Sequence, residues 1–424
     1  MKELAVLSYL VRSHKSSVSF KSTCFVCTQH FLSSTVNLVK ALITLGASPS
    51  NIFITTKNYS YHLDIAKQLE SLGINVFHSY EGPFQEAYAS QIQAMWHQAK
   101  TYNQEKNLIV LGDGGRCIEY MPMQLHSRYR IVSIEQTTFG FHHLVERPCT
   151  IDVARSAVKK LIEPLLISKV ILEKVRNWLH PRKNIGIIGI GAIGTAVAQT
   201  LLDEGFNVLL FDTKLKYPWR IGDIQVSSSL TQLIHSSDCI FGCTGQDIFY
   251  SLNDFSILSE KILISCSSEN IEFLSILKKI NALNSAPIGD IYHCSNEIKN
   301  LVILNGGYPI NFSQKSISVP DREIQLTRGL LLSACIQAQK ILNNKKNKPD
   351  SNLLMLEPSL QQSVVRQWEK ETIWLKEKKD LLKQFSKLEW IINHSSGYYQ
   401  HGHNAPKEIT DNRPEHSLDQ IAST

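Results

Sequence analysis

Gly189, Gly191 and Gly194 form a GxGxxG turn in NIGIIGIGAIGTAVAQTLL (184–202), directly after the apolar run GIIGI and at the start of a helical pattern. The first glycine permits a tight turn, the second lets a pyrophosphate approach the backbone, and the third lets helix and strand pack closely. Ala192 and Ile193 open the helix, whose free N–H groups face the phosphates. Asp212 ends the next run, NVLLFD, 18 residues after Gly194, where a carboxylate accepts hydrogen bonds from the adenosine ribose and repels a 2′-phosphate. The chemistry predicted is binding of NAD. Lys159 and Glu163 are four apart in a helical pattern, which puts ammonium and carboxylate on one face, as acid–base machinery or as an ordinary surface ion pair. Asp113 ends NLIVLGDGG (107–115), at the carboxyl end of a buried strand, where ligands bind in open α/β sheets. An Asp-Gly-Gly also simply makes a turn. His30 follows the strand TCFVCT, as an acid, a base or a histidine satisfied at a strand end.

The elements that must position these residues alternate. TCFVCT (23–28) reads as a strand, SSTVNLVKALITLGA (33–47) as a helix closed by Gly46, then NIFITT, YHLDIAKQLESLGI and NVFHSY as strand, helix and strand. NLIVLG and YRIVSIEQTT (129–138) continue the strands, and Val153 to Leu179 is helical. A second series follows the glycine motif: NVLLFD, CIFGCTG, KILISC and LVILNGG. Continuous Val/Ile/Leu strands separated by helices predict two doubly wound parallel-sheet α/β domains, with a Rossmann domain inserted in a substrate domain. The predicted divisions are 1–165 for the first part of the substrate domain, 166–310 for the Rossmann domain, 311–393 for helices returning to the first, and 394–424 for a disordered tail rich in His, Asn, Pro and Ser.

Composition narrows the classes. Of 424 residues 43% are hydrophobic and 19% charged, ample for two cores, and the net charge of +6 is modest. The basic runs Lys345–Lys348 and Lys376–Lys379 read as solvated segments, so no nucleic-acid partner is expected. No signal-peptide cleavage pattern and no apolar stretch of ~18 residues are present, so no membrane partner is expected either. Nine scattered cysteines suit a reducing cytoplasm. Cys24 and Cys27 have CxxC spacing, but three apart in a strand they face opposite sides and read as core.

Beyond the motif, several pieces in order resemble S-adenosylhomocysteine hydrolase: CTQHFLSSTVNLVKALITLGA, LIVLGDGGRC, SIEQTTFGFHHL, ARSAVKKLIEP, the glycine motif, CIFGCTGQ, LVILNGGYPIN and NLLMLEPSLQQSVVRQW, spanning roughly residues 20 to 370. The resemblance implies an NAD-dependent hydrolase of one-carbon metabolism. It would oxidise a ribosyl thioether at the 3′ carbon, eliminate the thiol, add water and return the hydride. It further implies a small-molecule substrate, a cytoplasmic homo-oligomer, catalytic roles for His30, Asp113, Lys159 and Glu163, and NAD contacts from Thr137, Thr138, Thr244 and Asn311. Departures accompany it. Gln136 replaces a carboxylate that binds the substrate ribose, Glu269 a histidine near the nicotinamide, and Pro164 an asparagine. Leu32, Ser34 and SVPD (318–321) also differ, and the family's C-terminal Lys and Tyr have no counterpart. Two other readings stay open: a catalytically impaired NAD-binding homologue with a regulatory or structural role, and an NAD-dependent 2-hydroxy acid dehydrogenase. The latter needs an arginine and an acid–histidine pair after the glycine motif. Arg220, Arg322 and Arg328, the arginines between 195 and 330, stand in no such constellation along the sequence.

Overall fold

The computed structural model describes residues 3–78, 83–101, 107–138, 140, 148–180, 184–214, 220–221, 224–280, 292–294, 298–312, 318–344, 352–380 and 382–384. The tail 394–424, the lysine run 345–348 and the stretch 141–147 that ends SIEQTTFGFHHL lie outside the described residues.

Strands β1 (Thr23–Thr28), β2 (Ile52–Thr55), β3 (Asn75–Phe77), β4 (Asn107–Gly112), β5 (Arg130–Glu135) and β6 (Cys149–Asp152) belong to one sheet. Strands β7 (Asn184–Ile188), β8 (Asn207–Phe211), β9 (Arg220–Ile221), β10 (Ile224–Val226), β11 (Cys239–Gly242), β12 (Ile262–Ser265), β13 (Tyr292–Cys294) and β14 (Leu301–Ile303) form the second. β15 (Leu353–Met355) returns to the first, parallel to β6 at its edge. The first sheet runs β15-β6-β5-β4-β1-β2-β3 and is parallel throughout. The second runs β13-β14-β12-β11-β7-β8-β10-β9, antiparallel only where β13 and β9 join its edges. Both sheets therefore wind outward from the middle, the first from between β1 and β4, the second from between β7 and β11. Crevices for ligands open at the carboxyl ends of such strand pairs.

Strands covered on both faces need not alternate, which is why β1 and β4 are buried along their whole length. Cys24 and Cys27 fall in the cores on opposite faces of the first sheet. One face is covered by α1 (Ala5–His14), α2 (Ser33–Thr44) and α3 (Leu63–Ser71), the other by α4 (Phe84–Thr101). α5 (Ala157–Leu179) carries the chain to the second sheet and packs on α6 (Ala192–Asp203), the helix of the glycine motif. α9 (Asp321–Asn343) and α10 (Pro358–Thr372) then pack back on the first sheet, separated from α6 in sequence by α7 (Leu230–Ser236) and α8 (Leu274–Lys279).

Local differences from the sequence expectation have local causes. α5 begins at Ala157, not Val153, because Asp152 Oδ1 accepts from Arg155 N and turns the chain first. α2 ends at Thr44, and Gly46 takes φ +102°, a left-handed turn that glycine adopts without strain. β6 and β15 carry no apolar run long enough to read as strands. Among the described residues no helix is long and apolar enough to cross a membrane.

Candidate active site and cofactor crevice

The loops after β1, β2, β4 and β5 meet at the crevice of the first sheet. Asp113, just past β4, is buried, and its carboxylate gathers three side chains. Oδ1 accepts from Lys57 Nζ at 2.9 Å, Oδ2 accepts from Gln136 Nε2 at 2.5 Å, and His30 Nε2 stands 3.2 Å from Oδ2. Thr28 Oγ1 accepts from Asp113 N at 3.0 Å, tying the turn to the end of β1. Burial alone would push the carboxyl up, but Lys57 and His30 outweigh it and hold it well below the usual carboxylate range. Burial, only partly offset by Asp113, lowers the His30 pKa, so the imidazole is neutral at pH 7. A carboxylate at Nε2 selects the tautomer with Nε2–H, which leaves Nδ1 accepting from Ser60 Oγ at 2.7 Å. Phe312 lies against the ring, with centroids 4.2 Å apart.

Arg328 reaches the same place from α9. Its Nη1 donates to Gln29 Oε1 at 2.8 Å and its Nε to Ser34 Oγ at 3.0 Å, yet among the described residues it forms no ion pair with a carboxylate. It is 3% exposed, and burial lowers the guanidinium to about 10, still a cation at neutral pH. Lys159 and Glu163 pair on the first turns of α5, half-hidden, and Glu163 Oε1 accepts from Thr327 Oγ1 at 2.7 Å, next to Arg328. Gln136 is buried, and among the described residues its Oε1 has no partner, an acceptor left for a ligand.

Other predicted contacts are committed elsewhere. Thr137 Oγ1 donates to Glu135 Oε1 at 2.6 Å and accepts from Gly114 N at 3.0 Å, so it braces the GDGG turn. Glu269 bridges the two sheets, with Oε1 3.4 Å from Arg116 Nε and Oε2 3.0 Å from Gln85 Nε2. Lys57 Nζ also donates to Ser268 O at 3.1 Å across that seam. Thr138 is exposed, and Asn311 is buried with its carbonyl accepting from Ser318 Oγ at 2.7 Å.

The glycine motif is built to its chemistry. Gly189 has φ +94°, and a methyl there would meet the Cys243 carbonyl and Thr244 Cγ2 at 2.8 Å. A methyl on Gly194 would lie 1.9 Å from Gly189 O, while one on Gly191 would meet nothing, leaving that face open for a pyrophosphate. Asp212 Oδ2 accepts from Ile190 N at 3.0 Å and Oδ1 from Lys214 N at 2.9 Å, which fixes the carboxylate at the mouth of the turn. These residues fit a dinucleotide.

The model of the D-isomer specific 2-hydroxyacid dehydrogenase NAD binding domain matches residues 173–246. The cofactor is NAD. The uncharacterized proteins Rv0104 and MT0113 from two strains of Mycobacterium tuberculosis are each 24% identical over 347 residues, covering 78% of this chain and 67% of theirs. Among solved structures, D-lactate dehydrogenase from Escherichia coli is 13% identical, covering 73% of this chain and 96% of its own, with a TM-score of 0.32. The NAD-complexed D-isomer specific 2-hydroxyacid dehydrogenase from Lactobacillus delbrueckii ssp. bulgaricus is 15% identical, covering 77% and 99%, also at 0.32.

The match over 173–246 overturns the adenosylhomocysteinase expectation, and with it the hydrolase activity and the place in one-carbon metabolism. The reason is physical: the pieces that carried the resemblance are strand ends, glycine turns and the helices packed beside them, which doubly wound sheets require in that order. They report architecture more than chemistry. The objection to a dehydrogenase concerned residues after the glycine motif, and the structure offers a different arrangement. His30 and Asp113 pair before the glycine motif, and α9 brings Arg328 back to Gln29, the residue next to His30. None of Lys57, Ser60, Glu135 and Glu272 is singled out along the sequence, and Arg328 is weighed there only to be set aside. Lys57 carried a usable signal, a cation just past a strand whose end must line the crevice.

Proposed function

We propose that the chain is an NAD-dependent dehydrogenase of a small hydroxy acid, interconverting a carbinol and a ketone beside a carboxylate. Arg328 carries the reading: a buried guanidinium that forms no ion pair with a carboxylate among the described residues, next to a neutral histidine held by an ionised aspartate. A planar guanidinium suits a planar carboxylate, and burial strengthens the pairing. The NAD-binding-domain match over 173–246 supports it.

The Gly189–Gly194 turn and Asp212 would hold NAD, which when bound would supply the hydride acceptor for the carbinol carbon. His30 takes the hydroxyl proton at Nδ1, where Ser60 Oγ sits at rest, and Asp113 stabilises the resulting imidazolium through Nε2. Lys57 keeps Asp113 ionised for that task. Lys159 with Glu163 lines the outer wall near Arg328. The free thiols of the described cysteines support a reducing, cytoplasmic setting, and a homo-oligomer is checked by light scattering.

The test is NADH consumption at 340 nm with a series of 2-keto acids and the matching ketones that lack the carboxylate. Acids should react, and Arg328→Gln should raise their KM roughly 10- to 100-fold, the worth of a charge-assisted hydrogen bond. Equal rates with the uncharged ketones, or an unchanged KM, would refute the proposal.

A further inference from the structure

The two sheets share a device. In the first, Glu135 at the end of β5 accepts from Gly114 N at 3.1 Å, Gly115 N at 3.0 Å and Thr137 N at 2.8 Å, clamping the turn after β4 that carries Asp113. In the second, Glu272 follows β12 and clamps the turn after β11. Its Oε1 accepts from Thr244 N and Gly245 N at 2.6 Å each and from Ser267 Oγ at 2.7 Å, and its Oε2 accepts from Thr244 Oγ1 at 3.0 Å. Four donors on one wholly buried carboxylate leave the turn no alternative arrangement. A methyl on Gly242 would lie 2.8 Å from Oε2, so β11 also closes on the carboxylate. The clamped turn packs on Gly189, whose added methyl would strike Cys243 and Thr244. It therefore walls the crevice where the dinucleotide binds.

We propose that Glu272 is a positioning residue for NAD: it holds the Thr244–Gly245 turn against the first glycine of the motif, so that the cofactor meets a preformed wall. Its protonation also sets the direction of the Thr244 hydroxyl. When Glu272 is ionised, Thr244 Oγ1 donates to Oε2 and accepts from Gln246 N at 3.0 Å. When Glu272 is neutral, Oε2–H donates to Thr244 Oγ1, and the threonine proton turns away from the carboxyl, toward Gln246 O at 3.1 Å or a cofactor oxygen in its place. Burial raises Glu272 to about 7, above its usual 4.5, against the opposing hydrogen bonds from Ser267, Gly245 and Thr244. Among the described residues no cation pairs with it. Among the described residues the titratable group interacting with it is the Cys243 thiol, held well above its usual value and hydrogen-bonded in turn to Cys266. Neither thiol of that pair brings a positive charge to Glu272, whereas the carboxylate places a negative charge beside a diphosphate site. NAD affinity should therefore fall as pH rises through about 7.

The proposal depends on NAD binding and not on the substrate. Isothermal titration of the full chain with NAD alone tests it between pH 6 and 8.5. Glu272→Gln mimics the neutral acid: its affinity should match wild type at pH 6 within about threefold and stay flat, while wild type weakens by roughly 2- to 10-fold, about one hydrogen bond. Glu272→Ala should weaken binding by ~10-fold or more, with faster hydrogen exchange at the Thr244 and Gly245 amides than in the Gln variant. Identical pH profiles for wild type and the Gln variant would overturn the proposal. Undiminished affinity in a folded Ala variant would do the same; if that variant fails to fold, the Gln comparison decides.

Discussion

Lys57→Met isolates the electrostatics of the first crevice. The Lys57 side chain is 2% exposed and its ammonium is 2.9 Å from Asp113 Oδ1. Removing it leaves a buried carboxylate that keeps, among the described residues, the Gln136 amide and His30. Breaking such a pair by deleting one partner costs about 3–5 kcal/mol. With a urea slope of roughly 2–3 kcal/mol/M, the midpoint should drop by ~1–2 M. Trp96 and Trp368, both buried in the cores of the first sheet, report the transition by fluorescence. The dependence on pH has a definite sign. Asp113 has a folded pKa below its usual 3.8, so its contribution is present above 3.8 and is lost as pH falls through the folded value. In the variant the carboxyl loses its cation and burial raises it, so acidification relieves the variant while it weakens wild type. The difference between the two should shrink below about pH 4. Asp113→Asn added to Lys57→Met removes the orphaned charge and should recover ~2 kcal/mol or more. A loss below ~1 kcal/mol at pH 7, or strictly additive single changes, would show that the pair is not the electrostatic centre assigned to it.

Gly194→Ala forces a methyl to within 1.9 Å of Gly189 O, so NAD affinity measured by calorimetry should collapse; retention would mean that the turn does not hold the cofactor. Asp212→Ala frees Ile190 N from its 3.0 Å bond and removes the charge that disfavours a 2′-phosphate, so the ratio of NAD to NADP affinity should fall. Burial raises Glu135 against the hydrogen bonds it accepts, so its contribution to stability is full below 4.5 and is lost as pH rises through the folded value. Glu135→Gln should therefore stabilise relative to wild type more at pH 8 than at pH 5, read from thermal midpoints; the opposite trend would contradict the assignment.

Much of the architecture was legible along the chain. Strands buried on both faces must be continuous Val/Ile/Leu runs, and that is a local pattern, visible at TCFVCT, NLIVLG and KILISC. The glycine motif was legible for the same reason, since φ at Gly189 and the close approach at Gly194 are demands of a single turn. So was the pairing of Lys159 with Glu163, fixed by one helical turn. The fold class and the cofactor followed from these. What tertiary structure decided was convergence. The order β3-β2-β1-β4-β5-β6 brings residues 30, 57, 113 and 136 to one crevice, and α9 adds Arg328 from beyond the second sheet. Strand order and the return of a helix are set by long-range packing, and no helical or strand period encodes them. Glu135 and Glu272 were hidden for a related reason: each acts on a turn belonging to the neighbouring strand, so its role exists only once the strands are side by side.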